Sequence, residues 1–122
     1  MNLKEYQELC KKTANTIFPS KEVEIMNWAC GICGEAGDVA GCIKKIVAHK
    51  NDQTEGLREN LGDVMWYTAT ICNFYGWNME EVLKENLEKL KKRYPNGFTF
   101  TDAQRNGTRV DWMEKNGKNL KL

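Results

Sequence analysis

Glu35-Ala36-Gly37-Asp38 sets two carboxylates three positions apart, and Asn60-Leu61-Gly62-Asp63 repeats the spacing with an amide in the first place. Residues i and i+3 of a helix share a side, so each pair can offer two oxygen donors to one point. Two such helices packed face to face make an oxygen cage of the kind that holds a hard divalent cation. On an idealised wheel of roughly 100° per residue, Glu35 falls about 80° from the centre of its helix's apolar stripe, with Asp38 further round on the same side. Asn60 falls at about 70° on the next helix, with Asp63 further out, whereas Glu59 sits at about 170° and looks to solvent in a monomer. The Asn60 carbonyl oxygen is therefore a better fourth donor than the Glu59 carboxylate, although i and i+4 positions are also neighbours. Cys42 and Lys45 continue the Glu35–Asp38 line, as would His49 if the helix persists, and Tyr67 lies one turn beyond Asp63.

Charged residues on helices mostly serve solubility, and acids alone would not separate a site from an ordinary solvated face. The glycines shift that balance. Gly34, Gly37 and Gly62 fall inside helical patterns, where each costs about 1 kcal/mol relative to alanine. Close helix approach, or room for a ligand beside the acids, would give them a reason. A second group lies further along. Asn86 falls near the middle of an apolar stripe, with Lys89 and Arg93 extending the same line. An amide and two cations so spaced suit an anionic ligand entering one end of a bundle. The alternative is a structural hydrogen bond from Asn86 to a neighbouring helix, with snorkelling cations.

Helices must position these groups, because almost the whole chain reads as helix. Asn2 with Glu5 forms a capping box for a first helix expected to reach about Phe18. Ser20 caps a second helix whose apolar stripe reads Ile25, Ala29, Ile32, Ala36, Val39, Ala40, Ile43 and Val47. After a polar loop over 48–52, Asp52 with Glu55 reads as another capping box, opening a third helix with Leu57, Leu61, Val64, Thr68, Ile71 and Tyr75 on one side. Gly76-Trp77-Asn78 breaks it. Asn78 with Glu81 then caps a fourth helix, which ends near Arg93 before the turn Tyr94-Pro95-Asn96-Gly97. The tail after Phe100 has room for one short helix before it frays. The fold expected is all-α and four-helix bundle-like. Its aromatic surface (Trp28, Trp66, Trp77 and Phe74) and Met65 exceed what four short helices hide, so a dimer or larger helical assembly is expected.

The chain has 122 residues and a formal net charge of +1, which fits one modest core and no global field for nucleic acid or an anionic membrane. No apolar run is long enough to span a bilayer and no signal-peptide pattern is present. Its 5 cysteines, an odd number without a regular framework, fit reduced thiols and a cytoplasmic setting. Cys30-Gly-Ile-Cys33 has redox-motif spacing, but inside a helical pattern it reads as small buried residues. One CxxC with the lone His49 does not make a zinc site.

Three strings, GEAGDVAGCIKK (34–45), LGDVMWY (61–67) and NLEKLKKRYPNGF (86–98), together resemble the MazG-like nucleotide pyrophosphohydrolases of the all-α NTP pyrophosphatase superfamily. The resemblance runs in order from about Leu3 to Arg105. It implies an all-α domain over 1–106, assembled as a homodimer or homotetramer; the tail over 107–122 either closes over the pocket or is partly disordered. It also implies Mg²⁺ or Mn²⁺ held by an ExxE and an ExxD pair, and hydrolysis of a nucleoside triphosphate to the monophosphate and pyrophosphate. By position, Glu35 and Asp38 match the first pair and Asp63 ends the second, while Asn60 stands where the family has Glu. Metal ligands would then be Glu35, Asp38, Asn60 and Asp63, with Glu35 or Asp38 orienting or deprotonating the attacking water. Lys45, Lys89 and Arg93 would bind phosphates, Asn86 a polar group, and Trp28, Trp66 or Tyr67 would stack on the base unless they serve core packing. Asn60 also motivates a different class, a non-catalytic nucleotide- or metal-binding relative with a regulatory role. A plain helical assembly module is the third reading.

Overall fold

The computed structural model describes residues 1–105, and the chain divides into two compact units, Met1–Met79 and a second that starts at Glu80. The expectation for the tail over 107–122 lies outside the described residues. Five helices carry the described chain: α1 (Leu3–Cys10), α2 (Lys21–Ala48), α3 (Thr54–Tyr75), α4 (Met79–Arg93) and the short α5 (Phe100–Ala103). Among the described residues there is no strand, only an isolated bridge between Pro95 and Gly97. The fold is all-α, as expected. No helix among these residues is long and apolar enough to cross a membrane.

In the first unit, α3 is the central element and both other helices run antiparallel to it. Gly31 of α2 lies against Tyr67, while Cys42, three turns later, meets Asn60 and Gly56. Along α1, Gln7 bonds to Asn73 and Thr13 to Trp66. Gln7 is a clasp. Its Nε2 donates to Asn73 Oδ1 and to the Trp77 carbonyl, its Oε1 accepts from the Met79 amide, and Asn73 Nδ2 donates back to the Gln7 carbonyl. This network joins α1 to the end of α3 and satisfies backbone groups that the Gly76 break would otherwise leave unpaired. Gly76 itself takes the left-handed conformation (φ 69°) that only glycine adopts without strain.

Three local expectations change. α1 stops at Cys10, well before Phe18, because Thr13 turns its hydroxyl onto the Cys10 carbonyl and accepts from the Trp66 indole. Asn15 then closes its own turn through both ends of its amide to Ile17. Short polar side chains here offer the backbone an alternative to helix. The Asp52–Glu55 capping box is not formed. Asp52 instead accepts from the Thr54 amide and hydroxyl, bonds that hold its carboxyl below the usual carboxylate range, and Gln53 becomes the N-cap without a side-chain capping bond. Asn2 and Ser20 do cap as expected, at 2.9 Å to Glu5 N and 3.2 Å to Val23 N.

The third change bears on the site. The half-buried and buried positions of α2 are Glu24, Ile25, Trp28, Gly31, Ile32, Glu35, Val39, Gly41, Cys42 and Ile46, so the covered face keeps Ile25, Ile32 and Val39 of the apolar stripe read in the sequence but is rotated from the rest of it. The aromatic anchor Trp28 and the small residues Gly31 and Cys42 set this rotation, because α3 presents Trp66 and Tyr67 to be packed. Ala29, Ala36, Ala40, Ile43 and Val47 are left exposed.

The second unit holds α4 from Glu80 onward, the turn at 94–97 and α5. Lys91, Lys92 and Arg93 close the last turn of α4, where cations favour the helix dipole. Thr99 caps α5 through its hydroxyl, and Tyr94, Phe98 and Phe100 make successive ring contacts at 5.6 and 5.3 Å. Asn86 is exposed here, not centred in a buried stripe, and its neighbour Leu87 is exposed with it.

Candidate active site

The register of α2 on α3 places the acids. From the Gly31–Tyr67 contact, one turn forward on α2 reaches Glu35 and one turn back on α3 reaches Asp63. From the Cys42–Asn60 contact, one turn back on α2 reaches Asp38. The two fixed contacts thus bracket a stretch in which Glu35 and Asp63 lie at the α2–α3 contact, with Asp38 one turn of α2 beyond it. Glu35 and Asp63 are half-buried and Asp38 is exposed.

Their mutual field shows in Glu35. Partial desolvation raises its pKa above the ordinary glutamate value, and the negative charges of Asp63, Asp38 and Glu59 raise it further, in that order. Asp63 also adds a small upward push to Tyr6 on α1, whose hydroxyl is driven to about 12 mainly by burial and by its bond to Cys10. Among the described residues, no three Asp, Glu, His or Cys side chains are gathered closely enough to hold a metal ion. The carboxylates are within each other's electrostatic reach, though not drawn to one point. Carboxylate and amide oxygens form a donor set matched to a hard cation such as Mg²⁺ or Mn²⁺, and a divalent charge would relieve the repulsion that Glu35 reports. The donor types thus suit the ion, while their spacing among the described residues does not gather three of them around one point.

The remaining candidates fall as follows. Asn60 is half-buried and its Nδ2 donates to Cys42 Sγ at 3.4 Å. Glu59 is exposed. Lys45 is exposed near the end of α2, and its carbonyl accepts from the amides of His49 and Asn51. The Tyr67 ring packs at the helix interface, 5.0 Å from Trp66 and 6.2 Å from Trp28 between centroids. Gly31 makes this possible: a Cβ there would lie 2.1 Å from Tyr67 Cε1. Lys89 and Arg93 are half-buried on α4, in the second unit with Asn86. Reading the sequence gave no weight to Gly31, and left Cys42 as a point on a line. The spacing of Cys42 one turn after Asp38 was the available signal for it.

The sequence profile described as the MazG nucleotide pyrophosphohydrolase domain matches residues 25–98. The chain belongs to that family. The matched MazG segment contains every candidate residue named from the sequence, from Glu35 through Arg93. The chain is 38% identical over 72 residues to the Gene 37 protein of Mycobacterium phage L5, covering 55% of this chain and 63% of that one. It is 33% identical over 70 residues to the uncharacterized protein YvdC of Bacillus subtilis (strain 168), covering 49% of this chain and 66% of that one. The chain thus spans somewhat less than two thirds of the curated MazG-like relatives it matches. No solved structure matches it significantly.

Proposed function

We propose that this MazG-family protein hydrolyses nucleoside triphosphates to the monophosphate and pyrophosphate with Mg²⁺, or Mn²⁺, as cofactor. The observation that carries this reading is the rise in the Glu35 pKa, caused after desolvation by three other carboxylates, within the family's own domain. Carboxylates brought together without a compensating cation oppose one another, and such strain is characteristic of sites that bind or react. Glu35, Asp38, Asn60 and Asp63 would hold the ion. Bound there, it would neutralise phosphate charge and lower the pKa of a water. Glu35, whose proton is held more tightly than usual, is suited to accept a proton from that water, with Asp38 the other choice. Lys45, Lys89 and Arg93 are proposed to bind phosphate oxygens, Asn86 a substrate polar group and Tyr67 the base.

We further propose that the chain acts as a homodimer or homotetramer in the cytoplasm. Met26 (63% exposed), Ile43 (47%) and Val47 (62%) line one side of α2 with the exposed Ala29, Cys33, Ala36 and Ala40. Their alternating spacing of three and four residues is that of a helix seam made for another helix.

Pyrophosphate release from a panel of ribo- and deoxyribonucleoside triphosphates with Mg²⁺ tests the activity. Turnover is expected, lowered roughly 10²–10⁴-fold in Glu35→Gln. Tight nucleotide binding without turnover would instead establish the binding relative, and no binding would overturn both. Sedimentation of the same preparation is expected to give a dimer or tetramer; a monomer at micromolar concentration would refute the assembly.

A further inference from the structure

Two rings of the second unit, Phe98 (65% exposed) and Phe100 (81%), are among the most open large side chains of the described residues. They are nevertheless held in place. Gly97, at φ 85°, lets the chain turn after α4, and its amide donates to the Tyr94 carbonyl at 3.1 Å. The turn sets the Phe98 ring 5.6 Å from that of Tyr94, tilted by 38°, and Phe100 lies 5.3 Å from Phe98, edge-on. Thr99 fixes the step between the two, its hydroxyl accepting from the Asp102 amide at 3.1 Å.

Positive charge gathers beside this ladder. Lys91, Lys92 and Arg93 end α4, and the Arg93 guanidinium lies 6.0 Å from the centroid of the Tyr94 ring. Over 89–105, Lys89, Lys91, Lys92, Arg93 and Arg105 are opposed only by Asp102. Rings without charge would suit any apolar partner, and cations without rings would suit any anion. Open rings next to several cations match a ligand that is flat and stackable at one end and polyanionic at the other, as a nucleobase carried on a phosphate chain is. The Tyr67 ring, by contrast, is half-buried against Trp66 and Trp28, which take up much of the surface that a full stack needs.

We propose that Phe98 and Phe100 form a stacking platform for the base of a nucleoside triphosphate whose phosphates lie toward the cations at the end of α4. The proposal rests on the nucleoside triphosphate reading and adds to it a base contact in the second unit. Every base has a π face, so such a platform selects nucleotides over bare phosphate chains and tolerates the identity of the base.

Calorimetric titration of the full chain with Mg²⁺ tests this, using two ligands. One is inorganic triphosphate; the other is a nucleoside triphosphate with a methylene bridge between its α and β phosphorus atoms, which cannot be cleaved there. The wild type is expected to bind the nucleotide more tightly. Phe98→Leu and Phe100→Leu keep apolar bulk at exposed positions but remove the π face. Each is expected to weaken nucleotide binding by about tenfold and to change inorganic triphosphate binding by less than about twofold. Equal losses for the two ligands would show a merely structural role and overturn the proposal, as would unchanged nucleotide affinity in both variants. A single-stranded oligothymidylate that binds more tightly than the nucleotide, and weakens in the same variants, would give the surface to nucleic acid. A changed sedimentation coefficient in Phe100→Leu would give it to a second copy. Either result overturns the platform. Pyrophosphate release separates the two failures. Turnover that persists with unchanged KM in both variants removes the platform and leaves the nucleotide reading; a wild type that neither binds nor turns over nucleotide removes both.

Discussion

Where Trp28 meets Trp66 and Tyr67, the α2–α3 interface is filled; where Glu35 faces Asp63, two turns of helix leave space. At the aromatic end, Trp28 is buried, its ring lies 5.7 Å edge-on from Trp66, and Phe18 closes the far side at 5.5 Å. Gly31 is the one α2 glycine pressed by its neighbour. At the carboxylate end, a Cβ built on Gly34, Gly37 or Gly62 meets nothing within 4 Å. The same residue type thus serves opposite ends. In one place it admits a ring, and in the other it leaves the surface beside the acids uncovered. The pairing teaches that one end of a single helix contact can carry stability while the other is kept free for charge, which is costly to pack.

Gly31→Ala breaks the comparison most strongly. The new methyl group would collide with Cε1, Cζ and Cδ1 of Tyr67, a rigid ring that has to leave its place between Trp28 and Trp66. Overpacking of this kind should lower stability by about 1–3 kcal/mol in urea unfolding. Gly37→Ala should do the reverse, raising stability by up to about 1 kcal/mol through helix propensity alone. Equal losses in the two variants would show that the carboxylate end is as closely packed as the aromatic end and would remove the distinction.

Much of this was legible from residues alone. The i, i+3 spacing named Glu35, Asp38, Asn60 and Asp63, of which Glu35, Asn60 and Asp63 are half-buried and Asp38 is exposed. Caps at Asn2 and Ser20 and the break at Gly76 followed from local chemistry, which neighbours in sequence determine. The rotation of α2 did not follow. An apolar count weights Ala29, Ala36, Ala40 and Val47 equally with their surroundings, but packing is set by shape. One tryptophan and one glycine aligned with α3's aromatic pair outweigh several alanines. The sequence wheel consequently put Glu35 at the rim of its stripe, whereas it is half-buried within the contact face. The exposure of Asn86 was missed for a related reason: its place in a stripe says nothing about whether that stripe is covered. The end of α1 was lost to Thr13, whose partner Trp66 is distant in sequence.

Glu35→Gln sharpens the contrast by a smaller effect whose sign depends on pH. Desolvation and the charges of Asp63, Asp38 and Glu59 raise the folded-state pKa of Glu35 above its unfolded value. A carboxyl with a raised folded pKa binds its proton more tightly when folded. Its contribution to stability is therefore fully present below the unfolded pKa and is lost as pH rises through the folded one. At neutral pH the wild type carries this penalty and Glu35→Gln does not, so the variant should melt at a higher Tm. As pH falls through the raised value towards the ordinary glutamate range, that advantage should shrink. Added Mg²⁺ should lift the Tm of the wild type more than that of Glu35→Gln, because only the former offers the missing charge. A Tm difference that is flat across pH and indifferent to Mg²⁺ would show that the carboxylates do not act on one another, and the carboxylate end would then be plain surface.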